Sequence, residues 1–305
     1  MLPTLRQLQY LKLLSEHGSF SRAAEACHVT QPTLSAGIQE LEKILGAPVV
    51  DRARSGVILT AAGQEAVRRA EAILAQAEDL VQAARGAGEP LAGRFRLGVI
   101  PTIAPYLLPR ALPVLRRRFP DLGLYLREDL THRLIAHLRA GQLDAALIAL
   151  PYDTAGLETA HVGDDELVAL LPANHRLAGH SRVTPKELED TGLILLEDGH
   201  CLREHALAAC SLDRPGFGQQ DFAATSLPTL VQMVGSGLGV SLAPAMAVEA
   251  GLVHDAPVSV RPVKADHPSR EIVVVWRAGS SRRADGQLLA EALREALAGE
   301  TLPAA

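Results

Sequence analysis

Phe20-Ser21-Arg22-Ala23-Ala24-Glu25-Ala26-Cys27-His28-Val29-Thr30-Gln31-Pro32-Thr33-Leu34-Ser35 is the stretch that decides how the first part of this chain folds. Ser19 or Ser21 stands where a serine caps a short helix over Arg22 to Cys27, and His28-Val29 follows as a tight turn. Thr30 is placed as an N-cap, with Pro32 in the first turn of a helix that reaches about Leu45. Ile38, Leu41 and Leu45 recur on its expected buried face. Helix, short turn and capped second helix form the helix-turn-helix pattern, whose second helix enters the DNA major groove N-terminus first. The small Ala23-Ala24 pair lets the two helices approach closely. Ser21, Thr30, Gln31, Pro32, Thr33 and Ser35 are then candidate contacts to base edges and phosphates. On pattern alone, a plain three-helix bundle stays open beside this reading.

Upstream, Leu8, Leu11, Leu13 and Leu14 give an amphipathic helix from about Leu5 to Glu16, closed by His17-Gly18. Downstream, Val49 to Thr60 reads as two short strands around a turn, a wing that offers Arg52 and Arg54 to the backbone or minor groove. Thr60 then caps a long helix through Ala84, in which Val67, Ala70, Leu74, Ala77, Val81 and Ala84 alternate in threes and fours. That seam suits dimerisation, which a two-fold DNA site also requires; a helix lying on its own domain is the alternative. Gly86-Ala87-Gly88-Glu89-Pro90 ends it as a hinge.

Beyond the hinge, strands alternate with helices: Phe95 to Ile100, a helix from about Tyr106 to Phe119, Leu122 to Arg127, a helix from Thr131 to Ala140, and Ala145 to Leu150. A second α/β unit follows from about Leu167 to Ala265, with strands at Leu193 to Leu196, Phe222 to Thr225 and Val240 to Leu242 and a helix at Leu227 to Gly235. The chain returns through a strand, Arg270 to Trp276, and a last helix, Ala284 to Ala298. The expected architecture is a two-subdomain, periplasmic-binding-protein-like α/β effector domain, preceded by an all-α winged helix-turn-helix domain and a long linker helix. The expected division is 1–60, 61–90 and 91–305, the last in two parts of about 91–163 with 267–305 and about 164–266.

At 305 residues the chain is long for a single core. Hydrophobic residues make up 48%, yet no apolar run approaches the roughly 20 residues that span a bilayer, so no membrane partner is expected. The three cysteines are few and odd in number, which argues against a secreted disulfide framework and for a cytoplasmic protein. The net charge of −5 gives no nucleic-acid signal, and only the first sixty residues are net positive, barely so. Gly235-Ser236-Gly237-Leu238-Gly239 follows a helix and precedes a strand, the reverse of the dinucleotide-binding order, and reads as a tight connection. Asp164-Asp165-Glu166 reads as an exposed turn rather than a metal site. With no G-x-S-x-G elbow, H-E-x-x-H pair or Walker loop, neither an enzyme nor a resident cofactor is expected.

Two of the cysteines lie in Glu197-Asp198-Gly199-His200-Cys201-Leu202-Arg203-Glu204-His205-Ala206-Leu207-Ala208-Ala209-Cys210. His200 and Arg203 are candidates for lowering the Cys201 thiol pKa. The run between the cysteines is rich in helix formers, and as a helix it would hold their Cα atoms roughly 13 Å apart. A disulfide tolerates at most about 7 Å. Either the pair never bonds, or bonding dismantles the helix; two core cysteines and a redox switch are both open at this point. Cys27 reads as a core residue of the first bundle.

Phe20 to Ala24, Val29-Thr30-Gln31-Pro32-Thr33-Leu34-Ser35, Ile38 to Glu42 and Leu59-Thr60-Ala61-Ala62-Gly63 together resemble the N-terminal module of the LysR-type transcriptional regulators, in order and with the family spacing. Where many relatives carry basic residues, this chain has Ala36-Gly37-Ile38-Gln39-Glu40. The cysteine segment is similar to that of the family's peroxide-sensing members, as are Ile100-Pro101-Thr102, Pro105 to Pro109, Thr131-His132, Ala224 to Leu227 and Arg270. The resemblance implies that Cys201 is the peroxidatic thiolate and Cys210 its resolving partner, with Thr102, Thr131, His200 and Arg270 holding and polarising hydrogen peroxide. It implies as partners double-stranded promoter DNA, hydrogen peroxide, a glutaredoxin- or thioredoxin-like reductant and RNA polymerase, and assembly as a homodimer or a homotetramer built as a dimer of dimers. Three rivals stand beside it. One is a LysR-type regulator with a small organic effector in the cleft and unreactive cysteines. The second is a zinc sensor using Cys201, His205, His200 and Cys210. The third is a thiol peroxidase, for which a helix-turn-helix has no use.

Overall fold

The computed structural model describes residues 2–53, 56–84, 89–209, 223–265 and 268–299. Arg54, the Gly86 to Gly88 part of the hinge, Phe222 and Cys210 with the segment that follows it lie outside these residues. The chain divides into two compact units, residues 1–87 with 137–142, and residues 88–136 with 143–305.

The first unit begins with α1 (Leu5–His17), α2 (Phe20–Ala26) and α3 (Gln31–Leu45). Thr4 and Gln7 close a capping box on α1, and Gly18, in the left-handed conformation that glycine adopts without strain, ends it. Ser19 is the N-cap of α2, with no side-chain cap, so Ser21 lies within the helix. Thr30 caps α3 through its hydroxyl, which accepts from Thr33 N. Leu11, Leu14, Ala23, Ala24, Leu34, Ile38 and Leu41 form the core, and the two alanines are what let α2 sit so near its neighbours. Leu34 rather than Leu45 completes the buried face: Leu45, the last residue of α3, is 44% exposed. Gly37 faces the Tyr10 ring so closely that a Cβ would collide with it. Cys27 is the C-cap of α2 and packs half-buried against the edge of the core.

The wing is β1 (Val50–Ala53) antiparallel to β2 (Gly56–Leu59), and Val57 N donates to Gly18 O, which ties it to the end of α1. Thr60 caps α4 (Ala61–Ala84) by accepting from Gly63 N. Ala66, Val67, Ala70 and Leu74 pack on the helical core, so the first half of the seam serves its own domain. Farther along, Ile73, Leu80 and Val81 are exposed.

The second unit is built on a seven-stranded sheet in the order β4-β3-β5-β9-β6-β7, with β8 also paired to β6. Its strands are β3 (Gly93–Val99), β4 (Leu122–Glu128), β5 (Ala145–Leu150), β6 (Leu157–Pro172), β7 (Ser241–Pro244), β8 (Val258–Pro262) and β9 (Ser269–Arg277). Helices α5 (Ala104–Arg118), α6 (Thr131–Arg139) and α11 (Arg283–Ala298) belong to the β3-β4-β5-β9 end. Helices α7 (Pro185–Glu189), α8 (Cys201–Ala209), α9 (Leu227–Gly235) and α10 (Ala245–Glu249) belong to the other. The crossing segments are β6 and β9: the first half of β6 pairs with β9, and its second half with β7 and β8.

Sequence reading missed that β6 runs unbroken for 16 residues. The acidic triplet expected to be an exposed turn lies inside it, where Asp165 is 4% exposed. Leu193 and Leu196 make only isolated bridges, to Val240 and Ala224, and not a full strand. Gly237, at a φ of +79°, turns the chain between α9 and β7, as the tight-connection reading expects. No described helix is long and apolar enough to cross a membrane.

Candidate functional site

Gly199 adopts a φ of +95°, open to glycine and strained for other residues, and so turns the chain into α8 with Cys201 as its first residue. Leu202 and Ala206 anchor α8 in two hydrophobic clusters of its own half. Arg203 is also held, through Asp198 Oδ1 at 3.0 Å and the Leu196 carbonyl at 3.3 Å.

Opposite stand residues from distant parts of the sequence. Thr102 follows β3, Thr131 opens α6 and Arg270 lies in β9; they are 3%, 2% and 1% exposed. Arg270 and Asp165 face each other directly in the β6–β9 register. Asp165 Oδ2 accepts from Arg270 Nε at 3.0 Å and Nη2 at 2.8 Å, while Oδ1 accepts from Met246 N at 3.0 Å. Arg270 Nη1 donates to Thr102 Oγ1 at 2.7 Å, and Nη2 to the Thr102 carbonyl at 2.9 Å. Among the described residues these contacts engage four of the five guanidinium hydrogens and leave one on Nη1.

Cys201, His200, Thr102 and Thr131 line one narrow pocket with Ile100, Pro101, Leu130 and Gly199. Its empty volume is about 160 Å³, and nowhere is it wide enough to seat a water molecule. Burial pushes the Cys201 thiol above its ordinary pKa, against the pull of the Arg270 charge and of the Thr131 hydroxyl. The Thr131 hydroxyl lies near enough to favour a thiolate, yet in the reduced protein it has no partner at hydrogen-bond geometry. His200 and Arg203 are not the groups that lower the thiol pKa, as their neighbouring positions suggested. Burial lowers the pKa of His200 itself, against the Glu197 carboxylate and the Thr225 backbone, and Arg203 is bound to Asp198.

The pocket therefore unites Cys201, His200, Thr102 and Thr131, and Arg270 reaches it through Thr102. Two buried polar residues had been read otherwise from the sequence, Asp165 as part of an exposed turn and His205 only as a ligand of the zinc-sensor rival. Asp165 was hidden by its acidic neighbours, and its only sequence signal was strand alternation. His205, 5% exposed, lies one helical turn beyond Cys201. Cys210 lies outside the described residues, and among those described no group of three or more potential metal ligands gathers.

In the first unit, Ser21, Thr30, Gln31, Pro32 and Thr33 are exposed around the start of α3, while Ser35 is half-buried. The Thr30 and Thr33 hydroxyls lie 2.8 Å apart within the cap. Arg52 lies on β1.

Residues 5–64 match the family described as bacterial regulatory helix-turn-helix protein, lysR family, and residues 88–298 match the LysR substrate binding domain. The DNA-binding transcriptional dual regulator OxyR of Escherichia coli K12 is 38% identical over 295 residues, covering 97% of this chain and 96% of that protein. Among solved structures, a cysteine-to-aspartate variant of full-length OxyR from Pseudomonas aeruginosa superposes with a TM-score of 0.79 at 38% identity, covering 96% of this chain and 95% of that one. A hydrogen-peroxide-bound cysteine-to-serine variant of Corynebacterium glutamicum OxyR gives 0.67 at 32% identity, covering 98% and 94%. The chain belongs to the LysR family of transcriptional regulators and, within it, to the OxyR group.

Proposed function

We propose that this protein is a DNA-binding regulator that detects hydrogen peroxide at Cys201 and converts its oxidation into altered promoter binding. The observation that carries the reading is the convergence of Thr102, Thr131, His200 and Cys201 on one pocket, with the buried Arg270 charge locked to Thr102. Once the walls of the narrow pocket part to admit peroxide, the Cys201 thiolate attacks one peroxide oxygen. The S–O bond forms, the O–O bond breaks, and the departing hydroxide takes up the proton that the thiol gave up and leaves as water. Sulfur is oxidised to the sulfenic acid. Arg270, through its remaining Nη1 hydrogen, together with Thr102 and Thr131, stabilises the charge on thiolate and leaving oxygen. His200, held neutral by burial, supplies a hydrogen bond without a second positive charge.

Cys210 then attacks the sulfenic sulfur, giving a Cys201–Cys210 disulfide and water. Eight residues of helix separate the Cα atoms of Cys201 and Ala209 by about 12 Å, and one further residue spans about 4 Å. Wherever Cys210 lies, its Cα stays about 8 Å or more from that of Cys201, beyond the roughly 7 Å a disulfide tolerates. The bond therefore requires α8 to unwind, which frees Leu202 and Ala206 from their clusters and repacks that half of the effector domain. The DNA-reading residues are Ser21, Thr30, Gln31, Pro32, Thr33 and Ser35 of the helix-turn-helix, with Arg52 and Arg54 of the wing. The second half of α4 joins two subunits, which pair again into a tetramer. A thioredoxin- or glutaredoxin-like thiol reductant resets the switch, RNA polymerase is the downstream partner, and the protein acts in the cytoplasm as a regulator and not as an enzyme. The proposed domain limits are 1–60, 61–90 and 91–305.

The test is one equivalent of hydrogen peroxide, with the cysteines mapped by mass spectrometry over seconds to minutes. A Cys201–Cys210 bond with Cys27 free is expected, and a Cys201 that reacts no faster than an ordinary thiol overturns the reading. One feature favours a second reading. A cavity of about 440 Å³, lined by Pro105, Tyr106, Leu196, Leu227 and Leu252, touches Thr102 and His200 and suits a small organic effector. In that case Cys201→Ser leaves the transcriptional response intact.

A further inference from the structure

His205 is buried in the reduced protein with neither ring nitrogen hydrogen-bonded at normal geometry. It lies four residues after Cys201, on the same face of α8. This face meets the other half of the domain: the Arg270 charge bears on both side chains, and the backbone at Leu150, the end of β5, lies beside the imidazole. Polar groups in such places are normally satisfied, so an orphaned imidazole one turn from the reactive sulfur calls for a reason.

A role as proton acceptor for Cys201 fails on magnitude. Burial and the Arg270 charge lower the imidazole pKa to about 4, while burial raises the thiol above its ordinary value of 9.0. Transfer of the proton from thiol to imidazole is therefore opposed by more than about five powers of ten.

We infer that His205 is a positioning residue for the second chemical step: it weakens the packed form of α8, so that the helix unwinds and lets Cys210 reach the Cys201 sulfenic acid. In the packed helix the imidazole has given up its hydrogen bonds to water and gained at most one poorly aligned contact with the Leu150 backbone. When α8 unwinds it recovers them, and the release of the helix is favoured by about tenfold relative to an apolar side chain of similar size. The peroxide step, completed while α8 is still packed, is untouched. The inference rests on the peroxide-sensing reading and on the pairing of Cys201 with Cys210.

Acid adds a second element. The charged group that bears on the imidazole is Arg270 from β9, whose partner Asp165 comes from β6; β5 contributes the Leu150 backbone, and the neighbouring Cys201 on its own helix is a neutral thiol. The packed imidazole stays neutral down to about pH 4, whereas a released one takes up a proton near pH 6.5. The contribution of neutral His205 to packing is thus complete above about pH 6.5 and lost as pH falls towards 4. At pH 5.5 the released form gains about tenfold from this proton.

The experiment uses the full-length chain, with the sulfenic acid and the disulfide followed separately by quenched mass spectrometry after one equivalent of hydrogen peroxide. In His205→Leu, Cys201 oxidation should keep its wild-type rate within about twofold, while the sulfenic acid persists about tenfold longer before the disulfide closes. His205→Gln keeps a polar group but no proton site. The ratio of wild-type to His205→Gln closure rates should rise from about one at pH 8 to about ten at pH 5.5. Closure in His205→Leu at the wild-type rate overturns the role in release, and a ratio that does not change with pH overturns the role of the proton. Wild-type Cys201 that fails to oxidise at all is a different result and overturns the peroxide reading itself.

Discussion

Thr131 carries an unusual burden for a buried hydroxyl, because it lacks a partner in the reduced protein yet faces the sulfur where negative charge must appear. Removing it separates function from stability. Thr131→Val should leave the melting midpoint unchanged or raise it slightly, since an unsatisfied buried hydroxyl costs about 1–3 kcal/mol. The same substitution should slow Cys201 oxidation by about tenfold or more, because a hydrogen bond to a charged group contributes about 1.5–3 kcal/mol. Stopped-flow peroxide kinetics beside a thermal melt checks both directions. At this scale, Cys201 and His200 were marked as candidates by their own segment, whereas Thr102, Thr131 and Arg270 were legible only through family resemblance; nothing local to Thr102 or Arg270 foretells that they meet. Asp165 was missed for a physical reason. A bulge between His161 and Gly163 shifts the alternation of β6, so the inward-facing position falls on the middle of three acidic residues.

Elements behave more predictably from sequence where their ends are chemically marked. Thr30, Thr60 and the Thr4–Gln7 pair each cap the helix that follows, and the sequence placed the first two at their caps. Gly63 shows why a glycine sits in the motif beside one such cap: a Cβ there would run into the carbonyl of Val49, at the start of the wing. Gly63→Ala should therefore destabilise the junction of wing and α4 by about 1–3 kcal/mol despite the better helix propensity of alanine. The melting midpoint should fall and DNA affinity with it, whereas Cys201 oxidation stays at the wild-type rate. Less legible was α4, whose regular seam favoured a partner helix over its own domain and left both open. Half of that seam is consumed by the domain's own core, and periodicity cannot say which surface a stripe meets.

Across the whole molecule, the alternation of strands and helices was readable as two α/β halves, but their coupling was not. That coupling lies in β6, which pairs with β9 in one half and with β7 and β8 in the other. Because Asp165 holds Arg270 while accepting from Met246, the charge beside the sensor is moored where the two halves share a strand. Oxidation should accordingly be felt beyond α8. Amide hydrogen exchange should accelerate by at least tenfold from Leu202 to Ala209, with smaller changes at α10, and remain unchanged in α1 and α3. On DNA, the absence of basic residues from Ala36 to Glu40 leaves few phosphate contacts along α3. Each contact that is missing should reduce the salt dependence of binding by roughly 0.9 in the logarithmic slope, measurable by titration at several salt concentrations.

The tightness of the Cys201 pocket also determines what the cell's thiol chemistry can do to this protein. Exchange with a disulfide needs three sulfur atoms brought into line and open access to the attacked group. A sulfur 8% exposed, in a pocket whose walls must part even for hydrogen peroxide, offers neither to oxidised glutathione or to a protein disulfide. Bulky disulfides are thereby held at arm's length, and access to the sulfur is graded by the size of the oxidant.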